Sequence, residues 1–361
     1  MAEIRIDRLH KRFGDFVAVR ESTLTVADGE FFVLLGPSGC GKTTTLRMIA
    51  GLEIPTSGEI RLGGEDVTFL RARQHDIAFV FQLFALYPHM NVRRNIGFPL
   101  LAQGTARGEI RKAVEETARL LRIEHLLDRP VGGLSGGDRQ RVALGRAIVR
   151  RPKAFLMDEP LGALDAEFRA LMCEELRLLH NRIGATTVYV THDQTEAMAM
   201  ADRIAVMDKG VVLQYGTPAD IYHRPRSMFV ADFIGSPAMT FLAVRGAGRD
   251  RVDVGEGSFA VPELQQPASS ELVLGIRPEH MRFADASGLR GQVVGVEYMG
   301  ARQVVTVDTA AGRARVRCGN DIQLRFGETV GLEPDPARVV LFDKASGQAL
   351  PSALFTGAAH G

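Results

Sequence analysis

A glycine-rich turn between an apolar run and a helical pattern constrains this chain more than any other feature. The apolar run Phe31–Leu35 is followed at once by Gly-Pro-Ser-Gly-Cys-Gly-Lys-Thr, residues 36–43, and a helical pattern covers residues 42–50. The turn matches the pattern G-x-x-x-x-G-K-[ST] in full. Its glycines let backbone N–H groups surround phosphate oxygens, and the following helix points its positive dipole end at the same anion. The chain therefore contains a predicted phosphate-binding turn.

The side chains of this turn have separate predicted tasks. Lys42 brings a full positive charge to the β- and γ-phosphates of a nucleotide, and the hydroxyl of Thr43 is a predicted ligand of Mg²⁺. Cys40 is interpreted as a tolerated small residue rather than as a redox switch. The whole set predicted to bind nucleotide is Gly36, Pro37, Ser38, Gly39, Cys40, Gly41, Lys42, Thr43 and Thr44.

Composition and charge exclude several classes of function. Of the 361 residues, 45% are hydrophobic and 24% are charged, and the formal net charge is +1. These values are typical of a globular protein and leave no basic excess for binding nucleic acid, so no nucleic-acid partner is expected. The most apolar charge-free window, residues 77–92, is too short and too polar to cross a membrane, and the N-terminus lacks the apolar core of a signal peptide. Three isolated cysteines indicate a reducing cytoplasm.

Short apolar runs alternate with helical stretches from residue 4 to about residue 235, which predicts an α/β domain over residues 1–235. Further strands are predicted at 154–157, 187–190, 204–207 and 211–213, and the clearest helical pattern covers residues 109–121. A polar, helix-rich insertion, residues 84–151, is predicted to form a helical subdomain within this domain.

The sequence changes in character beyond residue 235. The runs at 272–276, 292–296, 303–307 and 338–342 are short, rich in β-branched residues and punctuated by glycine. No long helical pattern interrupts them, so residues 236–361 are predicted to form an all-β barrel or sandwich. The final stretch, residues 345–361, is predicted to be loosely ordered, because its residues are small and uncharged.

Two adjacent carboxylates follow one of the predicted strands. Asp158 stands where a metal-binding carboxylate is expected, reaching Mg²⁺ directly or through water. Glu159 points to the other side of the chain and is the predicted general base that activates water. His192 ends another predicted strand, which brings it to the same carboxyl edge if the sheet is parallel. Lys42, Glu159 and His192 are therefore the predicted catalytic residues.

The segment Leu-Ser-Gly-Gly-Asp-Arg-Gln, residues 134–140, carries a second candidate anion site. Ser135 is predicted to cap a helix, and Gly136 and Gly137 expose backbone N–H groups at its positive end. From the residues alone, a capped helix without a ligand is the better interpretation. The segment also resembles the signature motif of ABC-transporter ATPases, with Asp138 where glutamine or glutamate is more usual.

The remaining motifs of that family follow in order over residues 4–235. Gln82 resembles the glutamine that contacts Mg²⁺ and water, and the stretch that ends at Asp165 resembles the family's D-loop. His192 resembles the switch histidine that contacts the γ-phosphate. Phe13 lies where the family places an aromatic ring under adenine, and a buried core position is the alternative. The resemblance implies Thr43, Gln82 and Asp158 as metal ligands, and further nucleotide contacts from Phe13, Gln82, Ser135, Gly136, Gly137, Gln140 and Asp165.

Several stretches are similar to the ATPases of bacterial carbohydrate importers of the maltose type. They are residues 85–90, 189–194 and 233–239, together with Gly-Ile-Arg-Pro-Glu-His at 275–280. The last of these stretches implies that the C-terminal β-domain is an OB-like regulatory domain.

This resemblance implies an ATPase that energises a sugar or glycerol-3-phosphate importer. It implies a homodimer, with ATP and Mg²⁺ held between the phosphate-binding turn of one subunit and the signature segment of the other. Two membrane-spanning permease subunits, an indirectly associated extracytoplasmic solute-binding protein and a peripheral position on the cytoplasmic face of the inner membrane are also implied. Importers of polyamines or ferric iron, and ABC ATPases outside transport, are the alternatives. A single phosphate-binding turn and the lack of sustained heptads disfavour the last of these.

Overall fold

The computed structural model describes residues 2–81, 85–162, 164–254, 257–266, 271–285 and 288–356. Contacts between residues divide the chain into two compact units, Met1–Pro218 and Ala219–Gly361. The change in sequence character predicts a domain boundary after residue 235, and that boundary stays a prediction. Within the described residues, no helix is both long enough and apolar enough to cross a membrane.

The first unit contains a six-stranded sheet and a smaller antiparallel one. Its strands are β1 (Ile4–Phe13), β2 (Phe16–Val26), β3 (Phe31–Leu35), β4 (Ser57–Leu62), β5 (Glu65–Asp66), β6 (Ile77–Val80), β7 (Ala154–Asp158), β8 (Thr186–Thr191), β9 (Arg203–Asp208) and β10 (Val211–Gly216). The large sheet has the order β10-β9-β3-β8-β7-β6, and the small sheet has the order β2-β1-β4-β5. All neighbours in the large sheet are parallel except β10, which pairs antiparallel with β9. The predicted parallel α/β sheet is confirmed.

Helices and the small antiparallel sheet pack around the large sheet, and apolar side chains of β1, β2 and β4 share a core with those of β3 and β8. The helices are α1 (Lys42–Ile49), α2 (Ala72–His75), α3 (Val92–Ala102), α4 (Arg107–Leu120), α5 (Gly136–Ile148), α6 (Ala166–Ile183) and α7 (Gln194–Met200), with 3₁₀ turns at Glu124–Leu126 and Val131–Gly133. Every residue of β3 and β8 is buried, as expected for central parallel strands. Helices α3, α4 and α5 pack against one another, and all three lie within the predicted helical insertion.

The second unit is built from two five-stranded antiparallel sheets. Its strands are β11 (Thr240–Gly246), β12 (Arg251–Val254), β13 (Gly257–Ala260), β14 (Leu272–Ile276), β15 (Met281–Phe283), β16 (Leu289–Tyr298), β17 (Arg302–Thr309), β18 (Gly312–Gly319), β19 (Thr329–Pro334) and β20 (Val340–Asp343). The sheet orders are β13-β12-β11-β14-β20 and β15-β19-β16-β17-β18. Both sheets contribute to one apolar core, which includes Leu242, Leu274 and Val305. Because β11 and β18 also lie against each other across the two sheets, the arrangement nearly closes a barrel. The predicted β-rich, OB-like domain is confirmed.

Short helices accompany these sheets: α8 (Pro218–His223), α9 (Met228–Phe233) and α10 (Ala353–Thr356), with 3₁₀ turns at Pro278–His280 and Pro336–Arg338. The prediction of a loosely ordered tail is wrong for residues 345–356. The backbone N–H of Leu350 donates to the carbonyl of Leu341 at 2.8 Å. Leu354 and Phe355 pack against a small apolar cluster that contains Phe342. Apolar side chains of residues 345–356 therefore pack against the rest of the second unit.

Candidate functional site

The phosphate-binding turn joins β3 to α1 at the carboxyl edge of the large sheet. Gly41 has a φ of +106° at the start of α1, and a Cβ there would overlap the backbone oxygen of Ala18, so only glycine fits. The Lys42 side chain is buried, and its Nζ donates to the carbonyls of Gly36 at 2.8 Å and Pro37 at 2.9 Å. The ammonium group is thus held against the turn that precedes it.

Cys40 is buried within this turn, with its Sγ 3.8 Å from the Nζ of Lys42. Burial raises the pKa of the Cys40 thiol, although the nearby charge of Lys42 opposes the shift. A thiol that stays protonated is a poor nucleophile and is slow to oxidise. This environment supports the interpretation of Cys40 as a small packing residue.

Thr43 and Asp158 lie together although 115 residues separate them along the chain. The Thr43 hydroxyl donates to Oδ1 of Asp158 at 2.9 Å, because α1 follows β3 and Asp158 ends β7 in the same parallel sheet. Burial is the main cause that raises the pKa of Asp158, and the neighbouring charge of Glu159 adds to it, while the Thr43 hydrogen bond opposes it. A bound cation would favour the ionised form of this carboxyl group.

The hydroxyl and carboxylate oxygens of this pair are the hard ligands that Mg²⁺ prefers. Among the described residues, no group of three or more His, Cys, Asp or Glu side chains forms a complete metal site. The pair therefore fits a Mg²⁺ ion whose remaining ligands are phosphate oxygens and water, which is the usual arrangement for this metal.

Glu159 and His192 meet at the same edge, as the parallel sheet predicted. β7 and β8 are neighbours, and the Oε2 of Glu159 lies 3.2 Å from the Nδ1 of His192. Glu159 has a φ of +45°, in the left-handed region that a non-glycine residue adopts at a cost of about 1–3 kcal/mol. Its backbone N–H donates to Val190 at 3.0 Å, and its carbonyl accepts from Gly162 at 3.2 Å. Backbone hydrogen bonds therefore hold the acidic side chain in place beside the imidazole.

The signature segment begins α5, and Ser135 caps that helix as predicted. The Ser135 Oγ accepts from the Asp138 N–H at 3.2 Å and donates to Oδ2 of Asp138 at 2.7 Å. A Cβ on Gly137 would overlap the ring of Phe168 on α6, so a larger residue there would require that ring to move. Gln140 is fully buried, and both polar atoms of its amide lack a hydrogen-bond partner among the described residues. Its predicted contact with nucleotide stays a prediction.

In the structure, the predicted site residues form two groups, and several others lie outside both. Lys42, Thr43 and Asp158 form one group at the phosphate-binding turn, and Glu159 and His192 form another. Asp165 is exposed and caps α6 through a 2.9 Å hydrogen bond from the Phe168 N–H. Among the described residues, no hydrogen bond or ion pair links 135–137 to 36–44.

Two further predicted residues, Phe13 and Gln82, stand apart from these groups. Phe13 ends β1 with 45% of its surface exposed, and the Nζ of Lys11 lies 4.6 Å from its ring centroid. The alternative that Phe13 is a buried core residue is wrong, and its place under adenine stays a prediction. Gln82 lies outside the described residues.

Sequence reasoning missed a network behind His192. The carboxylate of Glu196 is buried and accepts hydrogen bonds from the hydroxyls of Tyr189 at 2.8 Å and Thr191 at 2.7 Å. Asp193 caps α7, and the guanidinium of Arg169 donates to it at 2.9 Å. The spacing Asp-x-x-Glu at 193–196 is a helix-start signal that could have identified the cap. No local pattern points to Arg169, which lies 24 residues earlier.

Comparisons with known proteins agree with this fold. Family profiles match residues 19–162 as "ABC transporter", 235–281 as "MalK OB fold domain" and 274–342 as "TOBE domain". The trehalose import ATP-binding protein SugC of Mycobacterium tuberculosis is 45% identical, covering 96% of this chain and 98% of that protein. The sn-glycerol-3-phosphate import ATP-binding protein UgpC of Cereibacter sphaeroides is 46% identical over 97% of this chain and its own full length. The dimeric structure of a bacterial ABC transporter cassette matches with a TM-score of 0.53 and 31% identity, covering 60% of this chain and 98% of that one.

The fold and the site define an ATP-binding P-loop ATPase with a β-rich C-terminal domain. The chain belongs to the ABC transporter family, as an ATP-binding subunit of the carbohydrate and glycerol-3-phosphate importer type. It is the ATPase that energises an importer of this type, as the sequence resemblance predicted. The alternatives of a polyamine or ferric-iron importer, or of an ATPase outside transport, gain no support from these relatives.

Proposed function

We propose that this chain hydrolyses Mg-ATP as a homodimer that encloses each nucleotide between two subunits. The observation that carries the proposal is that one chain holds two separate helix starts that suit an anion, the turn at 36–43 and the capped start of α5 at Ser135. A two-fold axis would bring the turn of one subunit opposite Ser135, Gly136 and Gly137 of the other, so that two complete sites form together. The dimeric solved cassette of similar sequence supports this arrangement.

Nucleotide binding is assigned to the residues of the phosphate-binding turn. Backbone N–H groups of residues 36–44 and the ammonium of Lys42 bind phosphate oxygens, and Phe13 offers an exposed ring for adenine. Thr43 and Asp158, already 2.9 Å apart, would hold Mg²⁺, and Gln82 is the further proposed ligand. The charge of the bound ion would offset the negative charge of the phosphates.

Glu159 and His192 are assigned the catalytic step. Glu159 accepts a proton from the attacking water, and its left-handed backbone fixes where the carboxylate points. His192, 3.2 Å away, orients that carboxylate and reaches the γ-phosphate. Asp165 and Gln140 are proposed to contact nucleotide or its surroundings across the dimer.

A groove between α3 and α4 supports the proposed binding of permease subunits. It has a volume of about 830 Å³, and its lining combines apolar and basic side chains: Met90, Phe98, Leu101, Ile110, Arg94 and Arg107. Leu101 is 59% exposed, so the groove presents an uncovered apolar surface. We assign the groove on each chain of the dimer to a cytoplasmic segment of one of the two membrane-spanning permease subunits. The chain would then lie peripherally on the cytoplasmic face of the inner membrane. A solute-binding protein outside the membrane completes the importer, and a sugar or glycerol 3-phosphate is the proposed solute.

The test of this mechanism compares Glu159→Gln with Asp158→Asn in the purified full chain. Because Gln keeps the size of Glu but cannot accept the proton, ATP turnover should fall by about 10²–10⁴-fold while Mg-ATP affinity stays within a few-fold. The variant should also remain a closed, ATP-bound dimer in size-exclusion chromatography. Asp158→Asn should weaken Mg-ATP binding itself. Normal turnover in Glu159→Gln, or an equal loss of ATP binding in both variants, would contradict the assigned roles.

A further inference from the structure

We propose that Arg169 is a positioning residue that locks the loop carrying His192 to the segment that follows Glu159. The inference rests on the proposed function, in which Glu159 and His192 act as a pair. One guanidinium group makes three contacts: Nη2 donates to the Leu164 carbonyl at 2.9 Å, Nη1 donates to the Asp193 carboxylate at 2.9 Å, and Nε lies 3.6 Å from the Glu196 carboxylate. Arg169 thereby joins the two chain segments that present the catalytic pair.

The contact with Asp193 fixes the residue next to His192. One carboxylate oxygen of Asp193 accepts from the backbone N–H groups of Thr195 at 2.7 Å and Glu196 at 3.2 Å, and the other accepts from Arg169. Burial of Asp193 opposes its ionisation, but these backbone hydrogen bonds and Arg169 outweigh that effect and keep the pKa of Asp193 below its usual value. Both carboxylate oxygens of Asp193 therefore accept hydrogen bonds, and these bonds fix its side chain at the start of α7.

The contact with Glu196 places the guanidinium between two acidic groups. Glu196 is 3% exposed, and its Oε2 is already shared by the hydroxyls of Tyr189 and Thr191, so Oε1 is left to face Arg169. Burial raises the pKa of Glu196, and the charge of Asp193 adds to this effect, whereas Arg169 opposes it. Removing the guanidinium would take away the cation that Asp193 and Glu196 share, and with it the link between the His192 loop and α6.

The contact with Leu164 reaches the other catalytic segment. The turn that leaves β7 is closed by hydrogen bonds from the Gly162 N–H to Glu159 and from the Leu164 N–H to Leu161. Leu164 lies directly before the cap of α6, so its carbonyl marks the end of the turn that starts at Glu159. A planar guanidinium can donate in two directions at once, which a lysine ammonium on a flexible stem does not reproduce.

The same helix provides a matched control in Arg177. Its Nη1 donates to the Met200 carbonyl at 2.9 Å, and its Nη2 donates to the Asp202 carboxylate at 2.8 Å. The exposed fractions of the two arginine side chains are nearly equal, 29% for Arg169 and 30% for Arg177. Arg177 therefore joins α6 to the end of α7 by the same chemistry, but it contacts neither segment of the catalytic pair.

The experiment measures kcat, KM for ATP and melting temperature for Arg169→Gln, Arg169→Lys, Asp193→Asn and Arg177→Gln in the purified full chain. Misplacing catalytic groups by about 1 Å can cost up to about 10²-fold in rate, so we expect Arg169→Gln to lower kcat by about 10-fold or more, with KM within about two-fold. Arg169→Lys should recover part of that loss. Arg177→Gln should lower the melting temperature by a similar amount and leave kcat within about two-fold.

Energetic coupling supplies the second readout. Asp193→Asn keeps the shape of the cap, and it should reproduce the loss in kcat of Arg169→Gln, with little further loss in the double variant. Equal kcat losses in Arg177→Gln and Arg169→Gln, or independent losses in the double variant, would overturn the positioning role. The kcat of Glu159→Gln, measured in the same experiment, distinguishes failure of the proposed mechanism from failure of the positioning role of Arg169. If that variant retains activity, the proposed mechanism fails, whereas a large loss there with normal kcat in Arg169→Gln overturns only this inference.

Discussion

Arg277 is predicted to be a sensitive position for the stability of the second unit. Its side chain is 1% exposed, and its guanidinium donates to the carbonyls of Tyr222 at 2.9 Å, Ala231 at 3.0 Å and Ile234. These carbonyls lie in or next to the last turns of α8 and α9, where helix geometry leaves acceptors without partners. Arg277 therefore caps two helices at once and joins them to the end of β14.

The expected size of the effect follows from these contacts. Each buried carbonyl left without a donor costs about 1–3 kcal/mol, and stacking of the guanidinium on Tyr222, 4.2 Å from the ring centroid, adds about 1 kcal/mol. The substitution also removes the cost of burying the guanidinium charge, which offsets several kcal/mol of that loss. Arg277→Met should then lower the free energy of unfolding by about 3–5 kcal/mol. For a domain of about 150 residues, this corresponds to roughly 10 °C in melting temperature.

Differential scanning calorimetry of the full chain tests this prediction. Mg-ATP should raise the melting temperature of the first unit only, because that unit carries the phosphate-binding turn. The transition whose temperature does not change with nucleotide therefore reports on the second unit. Arg282→Met is the control, because Arg282 pairs with Glu333 at 3.2 Å on the surface, with 68% of its side chain exposed. Arg277→Lys should be intermediate. A shift of about 2 °C or less in Arg277→Met, equal to the control, would refute the capping argument.

Three further predictions concern the shared site and the two units. Mixing Ser135→Arg with Lys42→Ala subunits should restore part of the ATPase activity that each variant lacks alone, whereas normal activity of either variant as a monomer would contradict a shared site. A fragment ending at residue 235 should bind nucleotide and melt cooperatively in circular dichroism; if it does not, residues 1–235 are not an independent domain. The free energy of unfolding of the second unit should fall as the pH drops below about 6.5, because burial lowers the pKa values of His223 and His280 and the unfolded chain takes up protons first. His280→Gln should weaken that dependence in urea titrations, and an unchanged pH profile would exclude a contribution from His280.

The sequence predicted the large sheet well because its strands are continuous apolar runs with turn signals at both ends. The strand β3 occupies the predicted residues 31–35 without change, and β7, β8 and β9 extend the predicted runs by one or two residues. The small sheet was not predicted. In β1 the pairing with β2 shifts register at several points, and Arg8 has a φ of +44°, so the alternation that identifies a half-buried strand is lost.

The site could be predicted residue by residue but not as a set of pairs. Lys42, Asp158 and Ser135 belong to local patterns, since a turn, a strand end and a helix cap are each visible in a few neighbouring residues. The hydrogen bond from Thr43 to Asp158 depends on which strands are neighbours, which is a property of the whole sheet. Arg169 is 24 residues from Asp193 in the sequence, and Arg277 is up to 55 residues from its partners, so no short sequence pattern predicts either contact.

Three of the groups assigned to nucleotide already have hydrogen-bond partners within the chain. The ammonium of Lys42 bonds to the turn, the hydroxyl of Thr43 bonds to Asp158, and the hydroxyl of Ser135 bonds to Asp138. Binding therefore exchanges one partner for another, and each exchange contributes much less than a hydrogen bond formed from unpaired groups. Asp138 adds a carboxylate beside the anion site on α5, which opposes the approach of phosphate, although Arg141 at 3.7 Å partly compensates it. In the proposed closed dimer, such balanced contacts would favour the release of product, because a site with only unpaired donors would bind its product more tightly.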